Sequence, residues 1–172
     1  HQKLFKLAKK YSKKHKVKFG VLTFDPLPAM FFNKKLTNYR ITTNLQKNLL
    51  FEKAGVDFVI VSRFNKSFSK ISADNFIKKI IVKKINPNFI FVSNNFKYGF
   101  RRKGNVAKLI SKENVYNYKI IKPSPLKKGK KIISSTLIRK LLQRGQLKNA
   151  NKLLGRDWSI IGVVQKGRRI GK

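Results

Sequence analysis

The chain has 172 residues, 41% of them hydrophobic, with 42 Lys and Arg against 6 Asp and Glu. That length fits one domain and buries roughly two-thirds of the unfolded surface, so a packed interior is expected in spite of a formal charge of +36. The absence of Cys excludes a disulfide framework and thiolate metal sites, and no apolar run approaches the roughly 20 residues that span a bilayer, so a cytoplasmic protein with no membrane partner is expected.

Residues 4 to 14 carry Leu4, Leu7, Ala8 and Tyr11 at helical spacing, with lysines on the other face. Val17 to Phe24 reads as a buried strand, ended by Asp25-Pro26-Leu27-Pro28. Thr43 can cap a helix through Ala54, with Gly55 just past its end. Val56 to Ser62 is a second apolar strand. Ser72 caps a helix bearing Phe76, Ile77, Ile80, Ile81 and Ile85, and Pro87 stops it. Phe89 to Ser93 is a third strand, followed by the polar, Gly-punctuated stretch Asn94 to Asn105. After a short helix, Val115 to Ile121 is expected as a fourth strand. Helices from about Ser135 to Arg144 and from Gln146 to Leu154 follow, split by Gly145, and Trp158 to Val164 reads as a last strand.

Continuously apolar strands alternating with helices predict a parallel sheet covered on both faces. Ligands of such folds sit at the carboxyl ends of the strands, which gathers the loops after Phe24, Ser62, Ser93 and Ile121 around one crevice. The charge on its own points to a nucleic-acid-binding protein. Only 9 of the 42 cations are Arg, however, and they are spread along the whole chain. Abundant Lys, Asn, Ile and Phe are what an AT-rich coding bias produces, so no specific nucleic acid is expected as a partner.

The strongest candidate site is Ser134-Ser135-Thr136, just before the amphipathic run Leu137, Ile138, Leu141, Leu142. A helix start leaves its first N–H groups free for an anion, and Arg139, one turn in, can grip a phosphate. On chemistry alone an ordinary N-cap accounts for these hydroxyls equally well. Asn95, in the loop after the third strand, can both donate and accept, which suits an adenine edge or ribose. Asp25 could cap, hold a metal-bound water or meet a ligand hydroxyl, or simply form a turn before Pro26. Tyr98 and Phe100 could stack on a ring, although core packing is the commoner fate of aromatics. With six carboxylates, two His and no Cys, no metal constellation is present.

The run Ile133 to Arg139 resembles the second signature of the nucleotidyltransferase superfamily, in the form used by the adenylyltransferase domain of bacterial bifunctional riboflavin kinase/FAD synthetases. Val21 to Pro28, Ile41-Thr42-Thr43 with Lys47, Gly55-Val56-Asp57, Phe64, Phe68, Ser72-Ala73, Phe76-Ile77, Asn95 to Gly99 and Gly104 follow the same family's order and spacing. Leu154-Gly155-Arg156 and Gly162-Val163-Val164 resemble the hinge into the riboflavin kinase barrel. His1-Gln2 resembles the end of the family's His-x-Gly-His turn.

The resemblance implies a Rossmann-like α/β nucleotidyltransferase domain over residues 1–156 that lacks its first strand. Residues 157–172 would then open a β-barrel riboflavin kinase domain, with Gly167, Gly171 and Lys172 approaching its nucleotide loop. It implies transfer of AMP from ATP to FMN, giving FAD and pyrophosphate, and phosphorylation of riboflavin by the complete protein. His1 and Arg139 are the implied catalytic residues, and both hold ATP together with Asn95, Ser134, Ser135 and Thr136. Asp25, Pro28, Phe32 and Tyr98 are implied to meet FMN. Mg²⁺ is expected only as the companion of ATP, held largely by phosphates and water, with no metal-ligating residue of the chain. Two departures stand out: Leu27 where the family usually has His, and Ser93 where it usually has Gly. The alternatives are a basic nucleic-acid-binding protein, or another adenylyltransferase of the superfamily acting on pantetheine phosphate or nicotinamide mononucleotide.

Overall fold

The computed structural model describes residues 2–36, 39–125, 127–128 and 131–164. In chain order they form α1 (Gln2–His15), β1 (Gly20–Asp25), α2 (Pro28–Phe32), α3 (Asn44–Lys53), β2 (Phe58–Arg63), α4 (Lys66–Ser69) and α5 (Ala73–Asn75), which runs on into a π-helical stretch, Phe76–Ile85. Then come β3 (Phe89–Phe91), β4 (Lys97–Tyr98), a 3₁₀ turn (Phe100–Arg102), β5 (Gly104–Asn105), α6 (Val106–Ile110) and α7 (Glu113–Tyr116). The last elements are β6 (Lys119–Ile121), β7 (Lys127–Lys128), β8 (Lys131–Ile132), α8 (Ser135–Gln143) and α9 (Leu147–Leu154).

The helix ends obey local chemistry. Thr43 closes a reciprocal capping box at the start of α3: its hydroxyl accepts from the Gln46 amide at 3.2 Å, and the Gln46 side chain accepts from the Thr43 amide at 2.9 Å. Gly55, just past the end, takes φ +73°, a conformation that favours glycine. Ser72 caps α5 through the Asn75 amide at 3.2 Å. At the far end of that helix Asn86, left-handed at φ 48°, donates its amide to the Ile81 carbonyl at 2.8 Å, and Pro87 forbids a further turn.

β1 and β2 are parallel, from Gly20 opposite Phe58 to Asp25 opposite Arg63. Their register is pinned at the entry: the Phe19 amide donates to the Asp57 carboxylate at 2.6 Å, and the Asp57 amide donates to the Phe19 carbonyl at 2.8 Å. β3 and β6 are parallel as well, with Ile90 opposite Ile120. One sheet was the expectation; among the described residues the two parallel pairs stand as separate sheets, with no ladder between β1 and β3. Side chains join them instead. Leu22 and Phe24 of β1, Ile90 of β3 and Ile120 of β6 all pack on one cluster of Ala73, Phe76, Ile77, Ile81, Tyr98, Leu109 and Tyr118. α1 also touches both pairs. Its Phe5 meets Phe19 and Phe51 at 6.0 and 5.6 Å between ring centroids, and its Tyr11 meets Phe89 and Phe91 at 5.3 and 5.4 Å. The result is mixed α/β architecture with parallel strands.

Two expected strands are corrected. Val115 to Tyr118 is not strand: α7 occupies Glu113–Tyr116, Asn117 turns left-handed at φ 53°, and the Glu113 carboxylate accepts from the Ile120 amide at 2.7 Å. That side chain supplies the acceptor a strand neighbour would have given, so only Lys119–Ile121 pairs. Trp158 to Val164 forms no strand either, and no described strand pairs with it. The first strand of a barrel is therefore not seen in residues 157–164, and Gly167, Gly171 and Lys172 lie outside the described residues.

Candidate active site at the carboxyl ends of the strands

β1 delivers Asp25 at its last position, opposite Arg63 of β2. The Asp25 carboxylate accepts from the Arg40 guanidinium and, at 3.0 Å, from the Asn44 amide group. Asn44 in turn accepts from Arg40 at 2.8 Å and from Lys47 at 3.2 Å. Partial burial works to raise the Asp25 carboxyl, but the hydrogen bonds from Asn44 and Arg40 and the charges of Arg40 and Lys47 outweigh it and hold it below its ordinary value. Burial and the neighbouring Arg40 charge lower Lys47, against the pull of Asp25. Asp25 is thus the anionic centre of a small polar network that fixes residues 40–47 against the end of β1.

Pro28 opens the short helix α2, where its missing N–H is no loss, and Phe32 closes it. Phe32 is 69% exposed. It is the outer end of an aromatic row that reaches the core: Phe32 meets Phe64 at 5.8 Å, Phe64 meets Phe24 at 5.9 Å and Phe68 at 5.6 Å, and Phe68 meets Phe76 at 6.3 Å. A planar ligand could add one more ring to that row without disturbing it. Tyr98 offers no such face. It lies in the core, stacked on Phe96 at 5.6 Å with Phe76 at 5.1 Å, so the ring expected to meet FMN is buried against its neighbours. Gly99 fixes this arrangement: at φ +71°, a Cβ there would come within 2.7 Å of the Ala73 backbone. The exposed aromatic of that segment is Phe100.

Asn95 is exposed in the turn after β3, where its side-chain oxygen accepts from the Ser93 hydroxyl at 2.9 Å. Its amide donors are left for other partners. At the other end of the site, Ser134 is the extended residue before α8, and its hydroxyl accepts from the Leu137 amide at 3.2 Å. Ser134 therefore acts as the helix cap. Ser135 and Thr136 form the first turn, where the backbone N–H groups have no carbonyl within the helix to reach.

Arg139 does not stand free. Its Nε donates to the Tyr39 carbonyl at 2.8 Å, and its guanidinium lies 3.7 Å from the centre of the Tyr39 ring. Arg40, Ile41, Arg139, Leu142, Gln143 and Trp158 line an open cavity of about 190 Å³ beside this contact. The Trp158 indole N–H donates to the Ile41 carbonyl at 2.9 Å, and the Gln46 side chain donates to the Ser159 carbonyl at 2.6 Å. The structure thus brings Asp25, Arg139 and the start of α8 around residues 39–47, with Asn95 on the neighbouring parallel pair. His1 lies outside the described residues. Tyr39 and Arg40 were not singled out from the sequence; an Arg one position before Ile41-Thr42-Thr43 was the available signal for the second, and nothing local marked the first.

A family model described as FAD synthetase matches residues 1–137. The chain belongs to the FAD synthetase family. Over its whole length it is 39% identical to a bifunctional riboflavin kinase/FMN adenylyltransferase of Buchnera aphidicola subsp. Schizaphis graminum, 30% to one of Haemophilus influenzae and 29% to one of Escherichia coli K12. It spans about half the length of these curated relatives, 55, 56 and 55% respectively. A crystal structure described as a macrolide-efflux protein from Streptococcus pneumoniae superposes with a TM-score of 0.78 at 27% identity, over 92% of this chain and 60% of that one. The likeness is one of fold. No helix among the described residues is long and apolar enough to cross a membrane.

Proposed function

We propose that the chain is the FMN adenylyltransferase part of a bifunctional enzyme, joining AMP from ATP to FMN. A phosphate oxygen of FMN attacks the α-phosphorus of ATP, the bond to the β-phosphate breaks, and pyrophosphate leaves. Such a transfer needs no protein nucleophile; it runs on alignment of the two phosphates and neutralisation of the charge that develops on the leaving group. On this reading residues 1–156 form the adenylyltransferase domain and residues 157–172 open the riboflavin kinase domain, whose substrate riboflavin would be met by the complete protein. The reaction would take place in the cytoplasm, where ATP is held.

The observation that carries the reading is the guanidinium of Arg139, one turn into α8, fixed against Tyr39 in a chain that belongs to the FAD synthetase family. Arg139 and the amides of Ser135 and Thr136 would hold the triphosphate, with the Ser134 hydroxyl shaping the turn. Asn95 would donate to the nucleotide. Phe32 and Pro28 would flank the flavin ring, Asp25 would act indirectly through Arg40, and His1 would complete the phosphate site. Mg²⁺ fits as an ion borne by ATP, because the Asp25 carboxylate already serves Arg40 and Asn44. In the complete protein Arg139→Ala should lower the rate of FAD formation from FMN and ATP about a hundredfold, the usual loss for one transition-state donor. An unchanged rate would remove Arg139 from the reaction and the reading with it.

A further inference from the structure

We propose that the loop of Tyr39, Arg40 and Ile41 is the device that positions Arg139, with Tyr39 as the positioning residue and Trp158 as the anchor of the loop. The proposal rests on the reading that Arg139 serves the phosphates of ATP.

An arginine has many rotamers, and a phosphate ligand gains most from one that is already aimed. Tyr39 fixes two independent features of the guanidinium. Its ring, 3.7 Å away, sets the plane, and its carbonyl, 2.8 Å from Nε, sets the rotation within that plane. What remains is the pair of terminal nitrogens, which find no hydrogen-bond partner among the described residues, and Arg139 is one of the residues that line the 190 Å³ cavity. A fork held in this way meets a phosphate end-on with both terminal N–H groups.

The loop itself is held on two sides. Arg40 is tied to Asp25 and Asn44, and so to the end of β1 and the start of α3. Ile41 is tied through its carbonyl to the indole N–H of Trp158, whose own amide donates to the Asn151 side chain of α9 at 2.9 Å. The loop is thus joined to Arg139 across 100 positions of the chain and to Trp158 across 117. The chemistry also separates the parts cleanly. The Nε contact uses the backbone of residue 39 and survives any side-chain change there, whereas the stack needs an aromatic ring.

The test is steady-state FAD formation by the complete protein, with ATP varied at saturating FMN. Tyr39→Leu, which removes only the stack, should raise KM for ATP about tenfold, the scale of a well-formed cation–π contact, and leave KM for FMN within about twofold. Tyr39→Phe should restore most of that loss. In an Arg139→Ala background Tyr39→Leu should add nothing, because its route is through Arg139. Trp158→Phe keeps the bulk and loses the indole N–H; it should raise the same KM about threefold, and it decides the matter should Tyr39→Leu fail to fold. An unchanged KM for ATP in the variants that fold, or an equal effect of Tyr39→Leu with and without Arg139, overturns the proposal. Failure of Arg139→Ala to impair the enzyme is a different result, and it removes the proposed function instead.

Discussion

Tyr98 provides a sharp test of what the core holds. Its side chain is buried in the central cluster, and its hydroxyl finds no hydrogen-bond partner among the described residues. Burial, with smaller contributions from Tyr118 and Asp74, pushes the phenol well above its usual range, so at neutral pH the group is a protonated donor without an acceptor. A buried polar group in that position costs about 1–3 kcal/mol. Tyr98→Phe removes the cost but leaves a gap the size of one oxygen, so the net gain should be the lower figure, about 1 kcal/mol. For a protein of this size that corresponds to a rise of roughly 2–4 °C in the melting temperature, measurable by calorimetry. The same variant tests the flavin contact read from the sequence. A ring covered by Phe76 and Phe96 cannot touch FMN, so KM for FMN should stay within about twofold. A melting temperature that falls, or a weakened FMN, would show that the hydroxyl has a partner and that the reasoning is mistaken.

Two further outcomes follow from the network near the site. Thr43→Ala removes the hydroxyl that accepts from the Gln46 amide, leaves the backbone half of the capping box, and should cost about 1 kcal/mol, seen as a melting temperature lower by a few degrees. The Asp25 carboxyl, ordinarily near 3.8, is lowered in the folded chain, so its stabilising contribution is present above that pH and is lost as pH falls through the folded value. Asp25→Asn should therefore give a shallower loss of stability below about pH 4 in acid titrations followed by circular dichroism, whereas an acid limb as steep as that of the unaltered protein would deny Asp25 this role.

Much of the frame was legible because its causes are local. The spacing of Leu4, Leu7, Ala8 and Tyr11 predicts α1, and Thr43 and Gly55 bracket α3, since caps and periodicity need only a few neighbouring residues. Ser134 likewise lies where a cap was expected, although its hydroxyl serves the helix instead of an anion. Val115 and Trp158 misled for one shared reason. Apolar residues at strand-like spacing describe a surface that wants covering, not the backbone partner that covers it. Glu113 took over one segment with its side chain, and the other meets no strand among the described residues. The hold of Tyr39 on Arg139 was illegible for the opposite reason: its two ends are 100 residues apart, and neither end carries a local mark.

Side chains, not a shared ladder, join the two described strand pairs. Backbone ladders pass rigidity from strand to strand, whereas side-chain contacts such as those joining Leu22 to the common cluster yield more readily. Among the described residues the β1–β2 pair and the β3–β6 pair meet through the cluster shared by Leu22, Phe24, Ile90 and Ile120. Asp25 ends one pair and Asn95 follows the other, so a ligand gripped by both loops would span the two.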